Sequence, residues 1–208
     1  SSQAQQELTQ ITLPLPDGSY GRFIFVESPV MEPELAAKFP EIHTYVGKGV
    51  DDPTASVRFD LTPHGFHAMI LSSGDTVFID PYSWGDTQTY ISYYRGDYPR
   101  TQVYTEIEPI GDTEAIRELA NRVAAEKLGS GNQLRTYRVA IAATGEYTTY
   151  HGGTVASAMA EIVTALNRVT GVYEREVAVR MVLVANNNLV VYTNAASDPY
   201  SNTNGSAM

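Results

Sequence analysis

The side chains best able to bind a metal are the histidines, and their spacing does not form a zinc-binding helix. The chain has 4 of them, His43, His64, His67 and His151, and no His-Glu-x-x-His sequence. In that motif two imidazoles one helical turn apart hold the zinc, and the glutamate activates the bound water. His64 and His67 lie at a predicted turn and in the strand after it, so we expect them to point apart. The sequence therefore contains no complete zinc site of this kind.

Motifs for other kinds of catalysis are missing as well. There is no Gly-x-Ser-x-Gly nucleophile elbow and no Gly-Lys-Ser/Thr phosphate loop. Gly129-Ser-Gly131 follows a predicted helix instead of a strand, which is typical of a linker and not of a dinucleotide site. The chain has 0 cysteines, which excludes disulfides, thiolate zinc sites and a cysteine nucleophile.

Composition limits the partners and the location. The formal net charge of -10 would repel nucleic-acid phosphates, so we expect no nucleic-acid partner. No apolar run is long enough to cross a membrane, so we expect no membrane span. The polar start at residues 1–6 does not look like a signal peptide, so in an exported protein we expect that peptide to have been removed already.

The front of the chain has the pattern of a β domain. Residues from about 10 to 108 alternate apolar and polar side chains in short runs that turn residues separate. The clearest part is a three-stranded meander with runs at 56–61, 66–71 and 76–80. We predict an antiparallel β-rich domain over residues 1–110.

The rest of the chain has helical and buried-strand patterns. Apolar residues at helical spacing, followed by Gly and Ser, predict a helix and linker over residues 111–135. Residues 136–143 then predict a strand covered on both sides, 144–153 a loop, 154–170 a helix that Gly171 ends, 177–185 a second buried strand, and 189–193 a third. Strand, helix and strand in this order are typical of a crossover in a mostly parallel sheet, and the whole chain is predicted to be α+β.

The order of these elements resembles the opening of a reprolysin-like (adamalysin-type) zinc metallopeptidase domain, which is a metzincin. The resemblance rests on Val172-Tyr-Glu-Arg-Glu176 at the joint of helix and strand and on Leu183-Val184 at the strand's end. The front half resembles the pro-region of this family, with Ser56-Val-Arg58, Gly65-Phe-His67, Gly74-Asp75 and Ile79-Asp-Pro-Tyr82 in that order.

The resemblance implies a secreted zymogen. Residues 136–208 would be the N-terminal portion of the catalytic domain, and the zinc motif would lie beyond Met208. The β domain would assist folding and cover the cleft, and zinc held by three histidines would act with a glutamate base. The implied partners are the remainder of the catalytic domain and peptide or protein substrates, and we expect no activity from these 208 residues alone.

Four residues are candidates for roles in such a zymogen. Without a cysteine, a carboxylate is the alternative zinc ligand, and Asp97 follows the flexible Gly96 as a comparable aspartate does in the pro-segment of the related astacins; an ordinary polar turn is the other interpretation. Glu146 is a calcium candidate or a solvated loop residue. Arg135 and Thr136 mark an activation cleavage site or an uncut linker.

A different class of function is also compatible with the sequence. In that hypothesis an exported β-sandwich serves as a binding or adhesion module joined to a small α/β unit, with no protease role. A His-Glu-x-x-His helix in the rest of the gene product, or zinc in the intact protein, would favour the peptidase instead.

Overall fold

In a computed structural model the described residues are 9–98, which we term the front half, and 133–200, the back half. The front half forms one antiparallel sheet whose strands pair in chain order. The strands are β1 (Gln10–Pro14), β2 (Tyr20–Glu27), β3 (His43–Gly49), β4 (Ser56–Thr62), β5 (Gly65–Leu71), β6 (Thr76–Pro81) and β7 (Tyr90–Tyr94), followed by a 3-10 turn at Arg95–Asp97. The predicted meander is confirmed as β4 to β6, with Phe59 opposite Ala68.

This sheet is curved, and one of its faces holds an apolar core. Its first and last strands approach each other where Ser92 Oγ donates a hydrogen bond to the Pro14 carbonyl over 3.0 Å. The inner face buries nine apolar side chains: Leu13, Phe23, Ala55, Val57, Phe59, Ala68, Ile70, Val77 and Ile79. Two packed sheets would make a sandwich, whereas residues 9–98 form a single curved sheet, so the sandwich alternative loses its structural basis.

One segment of the front half leaves the sheet. Between β2 and β3 the chain runs through residues 28–42, which include the short helix α1 (Pro33–Ala36). Its apolar side chains, Leu35 among them at 0% exposure, pack against the back half. This segment therefore belongs to the front half by sequence and to the back half by packing.

The back half contains the predicted strand, helix and strand. The parallel strands β8 (Arg135–Val139) and β9 (Val179–Leu183) are joined through α2 (Gly145–Tyr150) and the long helix α3 (Val155–Val177). Thr154 caps α3 by accepting a hydrogen bond from the Ser157 amide. The chain is thus α+β and rich in β structure. No helix in residues 9–98 and 133–200 combines the length and apolarity needed to cross a membrane.

The prediction that Gly171 ends the long helix is wrong. The helix continues to Val177 and stops where Ala178 adopts a left-handed conformation, with φ of 53°. Gly171 instead lets the helix pack closely on the sheet, because a Cβ there would lie 3.0 Å from Met69 Cε and 3.2 Å from Arg58 Cδ. A glycine in a helix pattern has two explanations, and only the tertiary neighbours decide between them.

Three other local predictions differ from the structure. The predicted loop at 144–153 contains the helix α2, which Thr144 caps. The predicted third strand at 189–193 is a 3-10 turn at Asn187–Val190, followed by a single bridge between Val191 and Ala143. β8 is mostly exposed instead of covered, since within the described residues it pairs with β9 alone. The predicted helix and most of the linker at 111–135 lie outside the described residues, as do 99–110.

Candidate functional site

The front and back halves meet first through strand pairing. Val30 and Glu32 hydrogen-bond to Leu183 at the end of β9, where the Leu183 amide donates to the Val30 carbonyl and the Glu32 amide donates to the Leu183 carbonyl. Met31 forms a parallel bridge with Leu183. The Glu32 carboxylate also accepts from the Arg138 guanidinium and, over 2.7 Å, from the Ala185 amide. A short piece of the front half thus extends the parallel sheet of the back half.

An apolar core shared by both halves lies beneath this contact. The front half contributes Val30, Met31, Leu35, Phe39 and Ile42, and the back half contributes Ala143, Ala158, Met159, Ala160, Ile162, Val163, Leu166, Leu183 and Val191. Met159 and Val163 on α3 are both 0% exposed. Since buried apolar surface stabilises folding at about 25 cal/mol per Å², this core ties residues 28–42 to the back half.

The opposite face of α3 packs on the outer face of the sheet through charged groups. Arg58 of β4, with 3% of its side chain exposed, donates to Glu174 over 2.5 Å and to Asn167 over 3.1 Å. Glu174 also pairs with Arg180 of β9. Burial lowers the pKa of Arg58, while the Glu174 carboxylate opposes that shift. The Glu174 carboxylate therefore offsets the cost of burying the positive charge of Arg58.

A second set of polar contacts continues along the same face. Asp60, at 1% exposure, accepts from Thr164 over 2.8 Å and lies 3.0 Å from His67 Nδ1. Further along, Asp80 pairs with Arg168 of α3 and accepts from Tyr93 over 2.8 Å. Burial, followed by this hydrogen bond to Asp80, raises the pKa of Tyr93. Arg58 and Asp60 alternate with Val57 and Phe59 along β4 and so share one face, which is buried under α3.

His64 stands where the turn between β4 and β5 meets the start of α3. Its Nδ1 lies 2.6 Å from Glu161 Oε1, and its Nε2 lies 2.8 Å from Ser157 Oγ. Glu161 and Ser157 are one helical turn apart, so they share one face of α3. The His64 side chain is 13% exposed and that of Glu161 is 19% exposed. The structure thus joins an acid, an imidazole and a hydroxyl from both halves.

A cavity of about 290 Å³ opens beside His64. Its wall includes the Trp84 ring, whose centroid lies 4.5 Å from that of His64 and 5.6 Å from that of His151. Burial lowers the pKa of His151, while Glu161 acts in the opposite direction. Burial beside the same carboxylate raises the pKa of Tyr147 to about 12. The lining of the cavity therefore combines aromatic side chains such as Trp84 with titratable ones such as His151.

Sequence patterns did not find this cluster. His64 and His67 were expected to point apart, yet both line the cavity, because the turn leaves the His64 side chain on the side of the sheet that α3 covers, where His67 also lies. The spacing of Ser157 and Glu161 on an amphipathic helix indicates a shared face, but nothing in the sequence connects that face to His64. Only the packing of α3 on the sheet brings the three together.

The residues predicted to have roles in a zymogen lie elsewhere. Asp97 is exposed at the end of the 3-10 turn after β7, and Glu146 is exposed in the first turn of α2. Arg135 and Thr136 are exposed at the start of β8, paired with β9. Their roles in zinc capping, calcium binding and activation cleavage stay predictions.

A zinc site was tested against the side chains of the described residues. Within 9–98 and 133–200 no three or more His, Cys, Asp or Glu side chains are grouped so that they could hold a metal ion. Two histidines of the cavity are engaged otherwise, His64 with Glu161 and Ser157, and His67 with Asp60. The donor sets in this part of the chain therefore do not fit a catalytic zinc.

Comparison with known proteins supports the back-half resemblance. A search of curated proteins gives no match to the chain. The pro-region resemblance of the front half stays a prediction. Residues 133–208 match the model of a family described as Metallo-peptidase family M12B Reprolysin-like, which confirms the predicted resemblance of this part to reprolysin-like metallopeptidases.

Proposed function

We propose that the chain is the N-terminal part of a secreted zinc metalloendopeptidase zymogen, in which the front half is a pro-domain. The observation that carries the proposal is the strand pairing of Val30 and Glu32 with Leu183. It extends the sheet of the part that resembles a metallopeptidase with chain from outside that part. A pro-domain that helps its enzyme to fold would make such a contact.

The assistance to folding has a physical basis in the shared core. β9 ends with hydrogen-bonding groups that Val30 and Glu32 satisfy, and an unpaired strand edge is prone to wrong pairing. Leu35 and Phe39 fill the core from the front-half side. Without them the back half would expose apolar surface during its own folding, when aggregation competes with folding.

Peptide-bond hydrolysis would require residues outside this chain, because the sequence contains no His-Glu-x-x-His motif. Zinc bound there would polarise the scissile carbonyl and lower the pKa of its water. The described residues would contribute the position of α3 and of the parallel strands. In the proposed zymogen Asp97 would reach the metal as a carboxylate ligand, which its exposed position leaves open.

The test of folding assistance uses the complete gene product. Leu35→Asp places a charge in the shared core at a residue that is 0% exposed, whereas Val50→Asp places it at a front-half residue that is 37% exposed. We expect Leu35→Asp to lower the yield of soluble peptidase at least about tenfold, because an unpaired buried charge is strongly destabilising. Val50→Asp should give the normal yield. Equal yields would contradict the proposal.

Latency is tested in the purified proenzyme with a fluorogenic peptide substrate. Cutting a protease site inserted at 129–133 should raise peptidase activity, and Asp97→Ala should give activity before the cut. Glu41→Ala removes another exposed carboxylate of the front half and is the matched control. If the cut leaves the activity unchanged, the front half is not an inhibitor. If only Asp97→Ala has no effect, Asp97 is not the zinc cap.

A further inference from the structure

The contacts of His64 fix where its ring proton lies. The Glu161 carboxylate can only accept hydrogen bonds, so Nδ1, 2.6 Å from Oε1, carries the proton. In a neutral imidazole the other nitrogen then has a free lone pair. Nε2 therefore accepts a hydrogen bond from the Ser157 hydroxyl over 2.8 Å. This order, hydroxyl to Nε2 and Nδ1–H to carboxylate, is the arrangement that activates a serine nucleophile.

The surroundings of Ser157 are suited to a reacting group. Gly152 adopts φ of 98°, and a Cβ there would lie 2.6 Å from Ser157 Oγ, so the glycine leaves room beside the hydroxyl. Ser157 also lies in the first turn of a 23-residue helix. Backbone N–H groups at such a helix end favour developing negative charge. These features support a reactive hydroxyl, but the assignment of the site rests on the side chains of Ser157, His64 and Glu161.

The adjoining cavity indicates the kind of group that the site would accept. It is about 290 Å³ in volume, and Pro81, Trp84 and Tyr150 form part of its wall. Trp84 lies against His64 and keeps one side of the imidazole from water. The lining also includes the charged or titratable side chains of Asp80, His151 and Arg168. A cavity of this size fits a small acyl group, and a neutral ester adds no further charge beside them.

We propose that Ser157, His64 and Glu161 form a nucleophilic site that cleaves small neutral esters. Ser157 Oγ attacks the ester carbonyl carbon, and its proton moves to His64 Nε2. The tetrahedral adduct then releases the alcohol, which takes that proton, and leaves an ester on Ser157. Water attacks this ester with His64 as base, and release of the carboxylic acid restores the hydroxyl. Glu161 orients the imidazole and stabilises its charged form.

The site exists only while the two halves are docked. His64 belongs to the front half, whereas Ser157 and Glu161 belong to α3 of the back half. Separation of the halves would remove the base from the nucleophile. The inference does not depend on the zymogen proposal, because it uses no metal, and it departs from the sequence-based expectation that these 208 residues alone are inactive.

The experiment is labelling of the 208-residue chain with a fluorophosphonate probe, followed by peptide mass spectrometry. We expect the label on Ser157. Ser157→Ala should remove the label, and His64→Gln should slow labelling about 100-fold, the usual scale for loss of a general base. Glu161→Gln should also slow labelling, because an amide stabilises the charged imidazole less than a carboxylate does. Ser92→Ala, at a hydroxyl that bonds Pro14, should change nothing.

Hydrolysis of p-nitrophenyl acetate gives a second readout on the same proteins. The expected result is turnover that Ser157→Ala removes at an unchanged circular dichroism spectrum. Labelling of the folded wild type at other serines only, or at equal rates in wild type and His64→Gln, would overturn the proposal. Either result would leave the zymogen proposal intact, since that one is measured by peptidase yield and latency.

Discussion

The two faces of the long helix α3 join the same two halves by different chemistry. On one face Met159 and Val163 pack in an apolar core to which residues 28–42 contribute. On the other, Glu174 and Asn167 bind Arg58 of the sheet, and Glu161 binds His64. Apolar contacts supply free energy without direction, whereas buried charged hydrogen bonds tolerate little displacement. We infer that the apolar face holds the halves together and that the polar face sets how they fit.

The largest effect should follow from breaking the buried ion pair on the polar face. Glu174→Ala leaves the Arg58 guanidinium buried without its carboxylate partner. Removal of one member of a buried pair costs about 3–5 kcal/mol, so we expect the free energy of unfolding to fall by that amount. Urea denaturation of the 208-residue chain measures it.

The matched control is a neighbouring carboxylate on the same helix. Glu176 has a side chain that is 67% exposed and lies 3.8 Å from Arg175. An exposed pair of this kind contributes about 0–1 kcal/mol, so Glu176→Ala should change little. If Glu174→Ala is as mild as Glu176→Ala, the polar face does not depend on this pair.

A cavity on the apolar face should have the next largest effect. Met159→Ala removes a side chain that is 0% exposed at the centre of the shared core. Such truncations cost about 2–5 kcal/mol, and we expect about 2–4 by urea denaturation. Val172→Ala truncates a residue of the same helix that is 39% exposed and should cost well under 1 kcal/mol. If Met159→Ala lowers the free energy of unfolding no more than Val172→Ala does, the core does not join the halves.

The sequence predicted one of these faces far better than the other. The apolar stripe of α3 follows from 3.6-residue periodicity, and the meander of β4 to β6 follows from alternation and turn residues. The polar face did not follow, because Arg58 and Asp60 in a strand and Glu161 and Glu174 in a helix have the pattern of solvated surfaces. They are buried because one polar surface docks on another. The periodicity within a single strand or helix does not predict such docking.

The same limit explains the error at Gly171 and the missed cluster at His64. A glycine near the end of an apolar stripe is typical of a helix end, while its true neighbours, Met69 and Arg58, belong to other elements. His64 appeared as a turn residue, which it is, but Ser157 and Glu161 come from a distant part of the chain. Local patterns predicted the meander, the long helix and its apolar stripe, and tertiary contacts decided the site.

Gly171 offers a smaller test of the close approach between helix and sheet. Alanine normally stabilises a helix interior by about 1 kcal/mol relative to glycine. Here the added methyl would meet Met69 Cε at 3.0 Å and the Arg58 stem at 3.2 Å, and overpacking costs about 1–3 kcal/mol. We expect Gly171→Ala to lower stability by about 1 kcal/mol. In a chain that already carries Met69→Ala, Gly171→Ala should lower the free energy of unfolding by less than it does in the wild type. Additive effects in the double-mutant cycle would show that the two side chains do not touch.

The smallest expected effect is the pH dependence contributed by His151, beside the polar face. Burial holds the pKa of His151 below its ordinary value in the folded chain, so folding favours the neutral ring. The stability that this provides is present above about pH 6.5, the unfolded value, and is lost as the pH falls through the folded pKa. Burial is the largest influence on the pKa of His151. Glu161, the next largest, raises this pKa, and His64 lowers it further.

His151→Gln removes this titration without removing a polar side chain. Unfolding free energies measured from pH 7.5 to 5.5 should decline less steeply in this variant than in the wild type. His43→Gln changes an exposed histidine of β3 that contacts Glu27 and is the control for histidine titration away from α3. A wild-type decline that His151→Gln leaves unchanged would place the pH response elsewhere, because the difference between the two proteins isolates the ring whose pKa burial lowers.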